Sequence, residues 1–166
     1  EETLKQIPQS SRSQVESMLK PEIEAGIFVN YFLKSNGNAS TFKLEQKVSN
    51  SQGAGGLIVQ QITAMDSNPY YKDLSTTPIS YYKEMDLGAK QYLIKDAPNF
   101  NWKITREKAE VAGYKVTKAE GVMMDSIKVN AWYAPEITIK DGPQNLGGLP
   151  GLIVKAEYEV NNAKMI

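Results

Sequence analysis

The chain has 166 residues, and its 19 basic and 19 acidic side chains cancel, leaving no basic stripe of the kind that recruits a nucleic acid. It holds neither cysteine nor histidine, which excludes disulfides, thiolate metal sites, cysteine nucleophiles, His-based triads and imidazole-dependent zinc sets. This length supports one domain with an adequate core and no covalent staple, and no apolar run approaches the roughly 18 residues that a membrane helix needs.

Residues 1–26 read as a polar helical entry. Ser13 suits an N-cap with Glu16 as its capping-box partner, Val15, Met18, Leu19 and Ile23 keep helical spacing, Pro21 interrupts the pattern, and Gly26 closes it. The chain begins at Glu1 without an initiator Met, which suggests a processed or trimmed protein. From residue 27 strand signals dominate. Ile27–Leu33, the turn Ser35-Asn36-Gly37-Asn38 and the alternating run Ser40–Val48 form a hairpin, because an Asn-Gly pair readily takes positive φ. Residues 49–56 read as a flexible loop. Leu57–Met65 fits either a short buried helix or a strand, with helix the favoured reading, and Asp66-Ser67-Asn68-Pro69 ends it.

Six further strands follow at Pro78–Met85, Lys90–Lys95, Trp102–Arg106, Tyr114–Glu120, Ile127–Ala134 and Leu152–Val160, punctuated by Gly88, Pro98-Asn99, Gly113 and Gly121. Short strands at roughly 8–12-residue spacing indicate an antiparallel β fold. The expectation is a mainly β single domain over 1–166. Residues 27–160 would form an antiparallel sheet curved into an open or half barrel, with the N-terminal helix, and the 57–65 segment if helical, covering one face.

The segment Gly148-Leu149-Pro150-Gly151-Leu152-Ile153 is the most distinctive stretch. Pro150-Gly151 suits the centre of a type II turn, Gly147-Gly148 permits close backbone approach, and Leu149 and Leu152 would point to opposite sides of a sheet corner. Three consecutive apolar residues from Leu152 imply a strand covered on both faces. The competing functional reading is that the glycine pairs bring backbone N–H groups against a peptide or an anion. Trp132 and Tyr133 lie on opposite faces of a strand, so one belongs to the core and the other is a candidate partner anchor, with Trp102 packing against either. Tyr70-Tyr71 and Tyr81-Tyr82 would either line a carbohydrate or peptide groove or each place one ring inward and one outward.

Carboxylates are the only catalytic candidates left: Asp66, Asp73, Asp86, Asp96, Glu107, Glu136 and Asp141. They are scattered, and a hydrolase would need two of them to converge. No EF-hand-type calcium loop is present, adjacent Met123 and Met124 on a strand could not chelate one soft metal, and no cofactor is expected. Asn38-Ala39-Ser40 fits the eukaryotic N-linked glycosylation pattern.

The hexapeptide Gly148–Ile153 spells the motif for which the GLPGLI family is named, and the order of smaller motifs over residues 79–160 resembles that family as well. These are Tyr82-Lys83, Asp96, Trp102-Lys103-Ile104 leading into Glu107-Lys108, Gly113-Tyr114, Lys118-Ala119, Ala131-Trp132-Tyr133, Pro135-Glu136-Ile137 and Gly142-Pro143. Residues 1–78 match only loosely. Val116 stands where many relatives carry a cysteine, so no thiol role transfers. The resemblance implies an exported Bacteroidota protein of the periplasm or outer membrane whose leader has been removed, with no catalytic residue to carry over. It implies a partner of the TonB-dependent-receptor type in the outer membrane. Asp125-Ser126-Ile127 resembles the short Bacteroidota O-glycosylation acceptor, with Ser126 as the modified residue. The reading that follows is a non-enzymatic envelope binding or accessory protein acting on a membrane-protein partner or an apolar or peptide ligand. The alternatives are a carboxylate-dependent hydrolase of envelope glycans or peptides, and a structural subunit of an outer-membrane assembly.

Overall fold

The structure, a computed structural model, describes residues 28–45, 67–87, 90–160 and 163–166. Residues 32–43 and 68–166 form one compact unit, distinct from 1–31 with 44–67, and nearly all described residues belong to the first. The N-terminal helix expected over 1–26 and the 57–65 segment lie outside the described residues.

Ten strands are present among these residues: β1 Tyr31–Ser35, β2 Ala39–Leu44, β3 Tyr70–Asp73, β4 Ser80–Leu87, β5 Lys90–Asp96, β6 Lys103–Val111, β7 Tyr114–Met123, β8 Ile127–Ala134, β9 Leu152–Val160 and β10 Ala163–Met165. They form two five-stranded antiparallel sheets in the orders β1-β2-β3-β4-β5 and β10-β9-β8-β7-β6. The expected single curved sheet is therefore corrected to two sheets, with no closed barrel among the described residues. The break falls between β5 and β6. Pro98 lacks an N–H for a ladder, and Asn101 takes a left-handed φ of 49°, so the chain turns away and β6 starts a new sheet instead of pairing with β5.

Local chemistry accounts for the hairpins. At the β1–β2 turn the Asn36 side-chain oxygen accepts from the N–H groups of Asn38 and Ala39 at 3.0 and 2.8 Å, while Asn36 N–H donates to the Ala39 carbonyl at 3.1 Å. At the β7–β8 turn Met124 and Asp125 both take positive φ, 50° and 59°, and Ser126 N–H donates to Met123 O, the geometry of a primed β-turn, with Ser126 as one more connecting residue before Ile127 pairs with Met123. Met124 thus belongs to the turn, outside both strands, while Met123 ends β7. Gly121 does not end β7 either. It sits inside the strand because the Trp102 ring lies against it, 2.6 Å from where a Cβ would stand.

The second sheet carries the core. Residues Ala119, Met123, Val129, Ala131, Tyr133, Ile153 and Ala156 share one face and cluster with Phe100, Leu146 and Leu149, with Trp102, Ile127 and Tyr158 packed around them. The register explains the consecutive apolar run after the bend. Trp132 pairs with Lys155 but Tyr133 pairs with Ile153, so Val154 is an extra residue that resets the alternation. The expected strand covered on both faces is accordingly a bulged strand, with Ile153 buried between half-buried Leu152 and Val154. Leu149, only 1% exposed, is the keystone of the cover over this face. Leu149→Ala is expected to cost about 2–5 kcal/mol in urea unfolding, as a buried leucine does when the cavity cannot collapse, and Leu152→Ala markedly less.

Candidate functional site

The 17 residues from Pro135 to Gly151, between β8 and β9, fold back over the inner face of the second sheet. Their backbone is closed on itself. Ile137 N–H donates to Ala134 O at 3.1 Å, Leu152 N–H to Ile137 O at 3.0 Å, Gly148 N–H to Lys140 O at 3.0 Å, and Ile153 N–H to Asp141 O at 2.8 Å. Asp141 and Gly147 form a bridge. Pro150-Gly151 does not form the expected type II turn: Gly151 N–H donates to Leu149 O at 2.8 Å, a three-residue γ-type closure. The reason is steric. Gly151 is extended so that its backbone can lie against the end of β8, where a Cβ would stand 2.8 Å from the carbonyl carbon of Ala134. The left-handed residue of the motif is Gly148, with a φ of +87°.

One ion pair anchors this loop to the first sheet. Lys72, on the inward face of β3, meets Asp141 Oδ1, and both side chains are fully buried. The Lys72 ammonium also donates to the Gly142 carbonyl and, at 3.5 Å, to Leu146 O, so its three N–H bonds have acceptors. Asp141 Oδ1 accepts from Gly142 N–H at 2.8 Å, whereas its Oδ2 is buried without a partner. Ser40, across from Lys72 in the ladder, likewise has a buried hydroxyl oxygen without a partner. Burial pushes the Lys72 amine below its ordinary range, and the attraction of Asp141 only partly offsets it.

Beside this anchor lies a cleft of about 340 Å³ with three walls. Leu74–Ile79 from the β3–β4 connection form one, Pro98–Phe100 with Trp102 another, and Lys140, Asn145, Gly147 and Gly148 the third. The first wall is shaped by Asp73, whose Oδ1 accepts from the Ser75 N–H at 3.0 Å and the Ser75 hydroxyl at 2.5 Å; these bonds hold its carboxyl below the usual range. Thr76 Oγ1 donates to Asp73 O and accepts from Ser80 N–H at 2.9 Å, and the Thr77–Pro78 peptide is cis. Trp102 Nε1 donates to the Gly147 carbonyl at 2.9 Å. One face of its ring packs on Gly121 and the ring stacks with Phe100 at a centroid distance of 5.1 Å. The tryptophan is committed to holding the wall and offers no open platform for stacking. Hydroxyls, amides and backbone groups share the lining about equally with the apolar side chains of Leu74, Pro78, Ile79, Pro98, Phe100 and Trp102, and among the described residues Lys140 is its only charge.

Tyr133 is core, 5% exposed. Trp132 faces outward between Lys155 and Lys118, whose ammonium groups lie 4.9 and 5.9 Å from its ring centroid, and those lysines pair with Glu157 at 2.7 Å and Glu107 at 3.2 Å. Tyr71 and Tyr82 stand opposite each other on the outward face of the first sheet, where Lys95 covers Tyr82 at 5.2 Å. Tyr70 and Tyr81 meet inward at 5.6 Å. Burial, then the negative charge of Asp96, raises the Tyr81 phenol. The tyrosine pairs therefore straddle a sheet and do not line one groove. Ser126 is exposed in the β7–β8 turn. Gly148 reaches the cleft, whereas Leu149 is buried beneath it and Pro150 is exposed.

Asp86, Asp96, Glu107 and Glu136 are exposed, Asp73 is half-buried and Asp141 is bound to Lys72; none of them lines the cleft. Asp66 lies outside the described residues. No group of three or more acidic side chains that could hold a metal occurs among the described residues. Sequence reasoning missed Lys72, Lys140, Asn99 and Asn145. For Lys72 a signal existed: once Tyr70–Asp73 is read as a strand, alternation puts Lys72 on the face of Tyr70, and an inward lysine demands a buried acid.

Residues 89–155, which include the Gly148–Ile153 hexapeptide, match the model of a family described as a protein of unknown function (Porph_ging). No curated protein matches the sequence. Among solved structures, PNGF-II in space group C2 is similar with a TM-score of 0.55 at 17% identity, over 82% of this chain and 23% of that one. PNGF-II in space group P21 gives a TM-score of 0.49 at 18% identity over the same shares. The chain therefore spans under a quarter of PNGF-II, and the first of these likenesses concerns the fold alone. No helix among the described residues is long and apolar enough to cross a membrane.

Proposed function

We propose that this chain is a binding or accessory protein of the bacterial cell envelope, of the GLPGLI type, that holds a peptide segment in the cleft beside Gly147-Gly148. The observation that carries the reading is the cleft's mixed chemistry: hydroxyls, amides and exposed backbone share the walls with apolar side chains around one cation, Lys140, and no carboxylate lines it among the described residues. Such a lining supplies hydrogen bonds, apolar contact and a single charge contact, without the converging pair of carboxylates that the hydrolase reading requires. A volume of about 340 Å³ lies at the small end of ligand sites, enough for a few residues of a partner's tail or loop. Lys140 favours a peptide that presents a carboxylate. The location, in the periplasm or at the outer membrane beside a TonB-dependent-type protein, rests on the hexapeptide and the match to a family of unknown function over residues 89–155.

A panel of immobilised short peptides differing in acidic content and in free or amidated C-termini tests this. Acidic or free-carboxylate peptides are expected to be retained. Lys140→Ala is expected to weaken the retained peptide about ten- to a hundredfold, the range of a lost charge-assisted hydrogen bond. Retention of none, or an unchanged affinity in Lys140→Ala, overturns the proposal.

A further inference from the structure

Among the described residues the two sheets end in four edge strands, β1 and β5 in one and β10 and β6 in the other. An edge strand presents unpaired N–H and C=O groups, and proteins guard such edges with charge, brevity or bulges. Strand β6 is guarded on two counts. It carries Lys103, Arg106, Glu107, Lys108 and Glu110, and its register breaks between Ile104 and Lys108. Strand β10 has three residues and β1 five. Strand β5 is different. Its seven residues pair with β4 without a bulge from Asp96 through Lys90, it contains no proline, and its centre exposes Tyr92 at 46% and Leu93 at 66%. On the same outward face Leu93 has the exposed Glu84 directly beside it on β4, and the half-buried Tyr82, which pairs with Lys95, and the exposed Tyr71 lie further along.

We propose that β5 is a homodimer interface, in which a second copy of the chain adds its own β5 antiparallel about a twofold axis at Leu93. The sequence of the strand selects this occupant and this register. A twofold axis normal to the sheet keeps inward residues beside inward residues, so only shifts by an even number of residues are allowed. The centred register pairs all seven residues. It sets Lys90 opposite Asp96 of the second copy at both ends, Gln91 opposite Lys95, Tyr92 opposite Ile94, and Leu93 opposite itself. No like charges meet, and the apolar centre is buried between charged ends. Cross-strand pairs of opposite charge stabilise an antiparallel ladder, whereas like charges directly opposite destabilise it. The joined sheets would form one continuous sheet of ten strands. One strand pair buries less than a standard interface, so the dimer is weak and forms with rising concentration.

Sedimentation equilibrium of the full chain over micromolar to millimolar concentration is expected to show a mass rising from 18.4 kDa toward twice that value. Asp96→Lys places Lys opposite Lys90 at both ends and is expected to weaken self-association about tenfold. The exchange Lys90→Asp with Asp96→Lys restores the pairing and is expected to restore the dimer. The swap also loses the bond from Ala97 N–H to Asp96, so a merely structural defect at Asp96 would not be rescued by it. Because the chain has no cysteine, single cysteines report the register. Leu93→Cys is expected to form a disulfide dimer under mild oxidation, and Gln91→Cys, four residues out of register with its own copy, is not. A monomer at every concentration, failure of the charge swap to rescue, or equal cross-linking at both positions overturns the proposal.

Discussion

Lys72→Met is expected to destabilise the protein by about 3–5 kcal/mol, the cost of leaving a buried charge without its partner. The side chains of Lys72 and Asp141 are wholly buried, so water cannot replace the ammonium. The substitution strands the carboxylate and removes the donor to the carbonyls of Gly142 and Leu146. The charge and not the lost volume is the cause, and a double variant separates the two. Lys72→Met with Asp141→Asn keeps an acceptor for Gly142 N–H while deleting the charge, and is expected to recover more than half of the loss in urea unfolding. A cost below about 1 kcal/mol for Lys72→Met, the level of exposed pairs, would show that the pair is hydrated.

The same pair gives a pH dependence whose sign follows from linkage. Burial lowers the Lys72 amine from its ordinary 10.5. Between the lowered folded value and 10.5 the unfolded chain binds the proton and the folded chain does not, so stability rises with pH across that window. The stability of the wild type relative to Lys72→Met is therefore expected to grow as pH is raised toward 10.5. Urea midpoints of both proteins at several alkaline pH values check it, and a difference that is flat or falls in that window contradicts the assignment.

Gly151→Ala is the second large effect, expected at about 3 kcal/mol or more, the upper end of overpacking costs. Its Cβ would press on the carbonyl of Ala134 and lie 3.1 Å from Pro135 Cα. These are backbone atoms at the end of β8, which cannot swing aside as a side chain would. The control is Gly148→Ala. Gly148 has positive φ but open space around it, so only the left-handed backbone is penalised, by about 1–2 kcal/mol. In thermal unfolding Gly151→Ala is expected to lower Tm by about 6–12 °C and Gly148→Ala by less, on the scaling for chains of this size. Equal effects would mean that the bend is held by backbone conformation and not by contact.

Most of the second sheet could be read from the residues. Alternation over Ile127–Ala134 put Trp132 and Tyr133 on opposite faces, and Gly113 marked a hairpin. Where the reading failed, a distant group intervened. Gly121 looked like a terminator, but the Trp102 ring occupies the space its missing side chain leaves. Pro150-Gly151 looked like a type II turn, but the approach to Ala134 stretches it into another closure. Tyr70-Tyr71 was read as a pair with one ring inward and one outward, as found, but the bounds of β3 were not, because a four-residue strand carrying a lysine and an aspartate has too little β propensity to stand out. The cleft was illegible for the same reason: its three walls come from segments around residues 76, 99 and 146, and no local pattern ties them together.

By itself, the amino-acid sequence determined where strands form and turn, and that the chemistry of histidine and cysteine is absent. Alternation, Gly and Pro act within a few residues and need no partner to be read. Only the tertiary structure decided that there are two sheets, that Lys72 and Asp141 meet across 69 positions of chain, and that the glycine pair opens onto a cleft. Those outcomes depend on which distant surfaces bury each other, and that choice is settled by packing and desolvation over the whole fold.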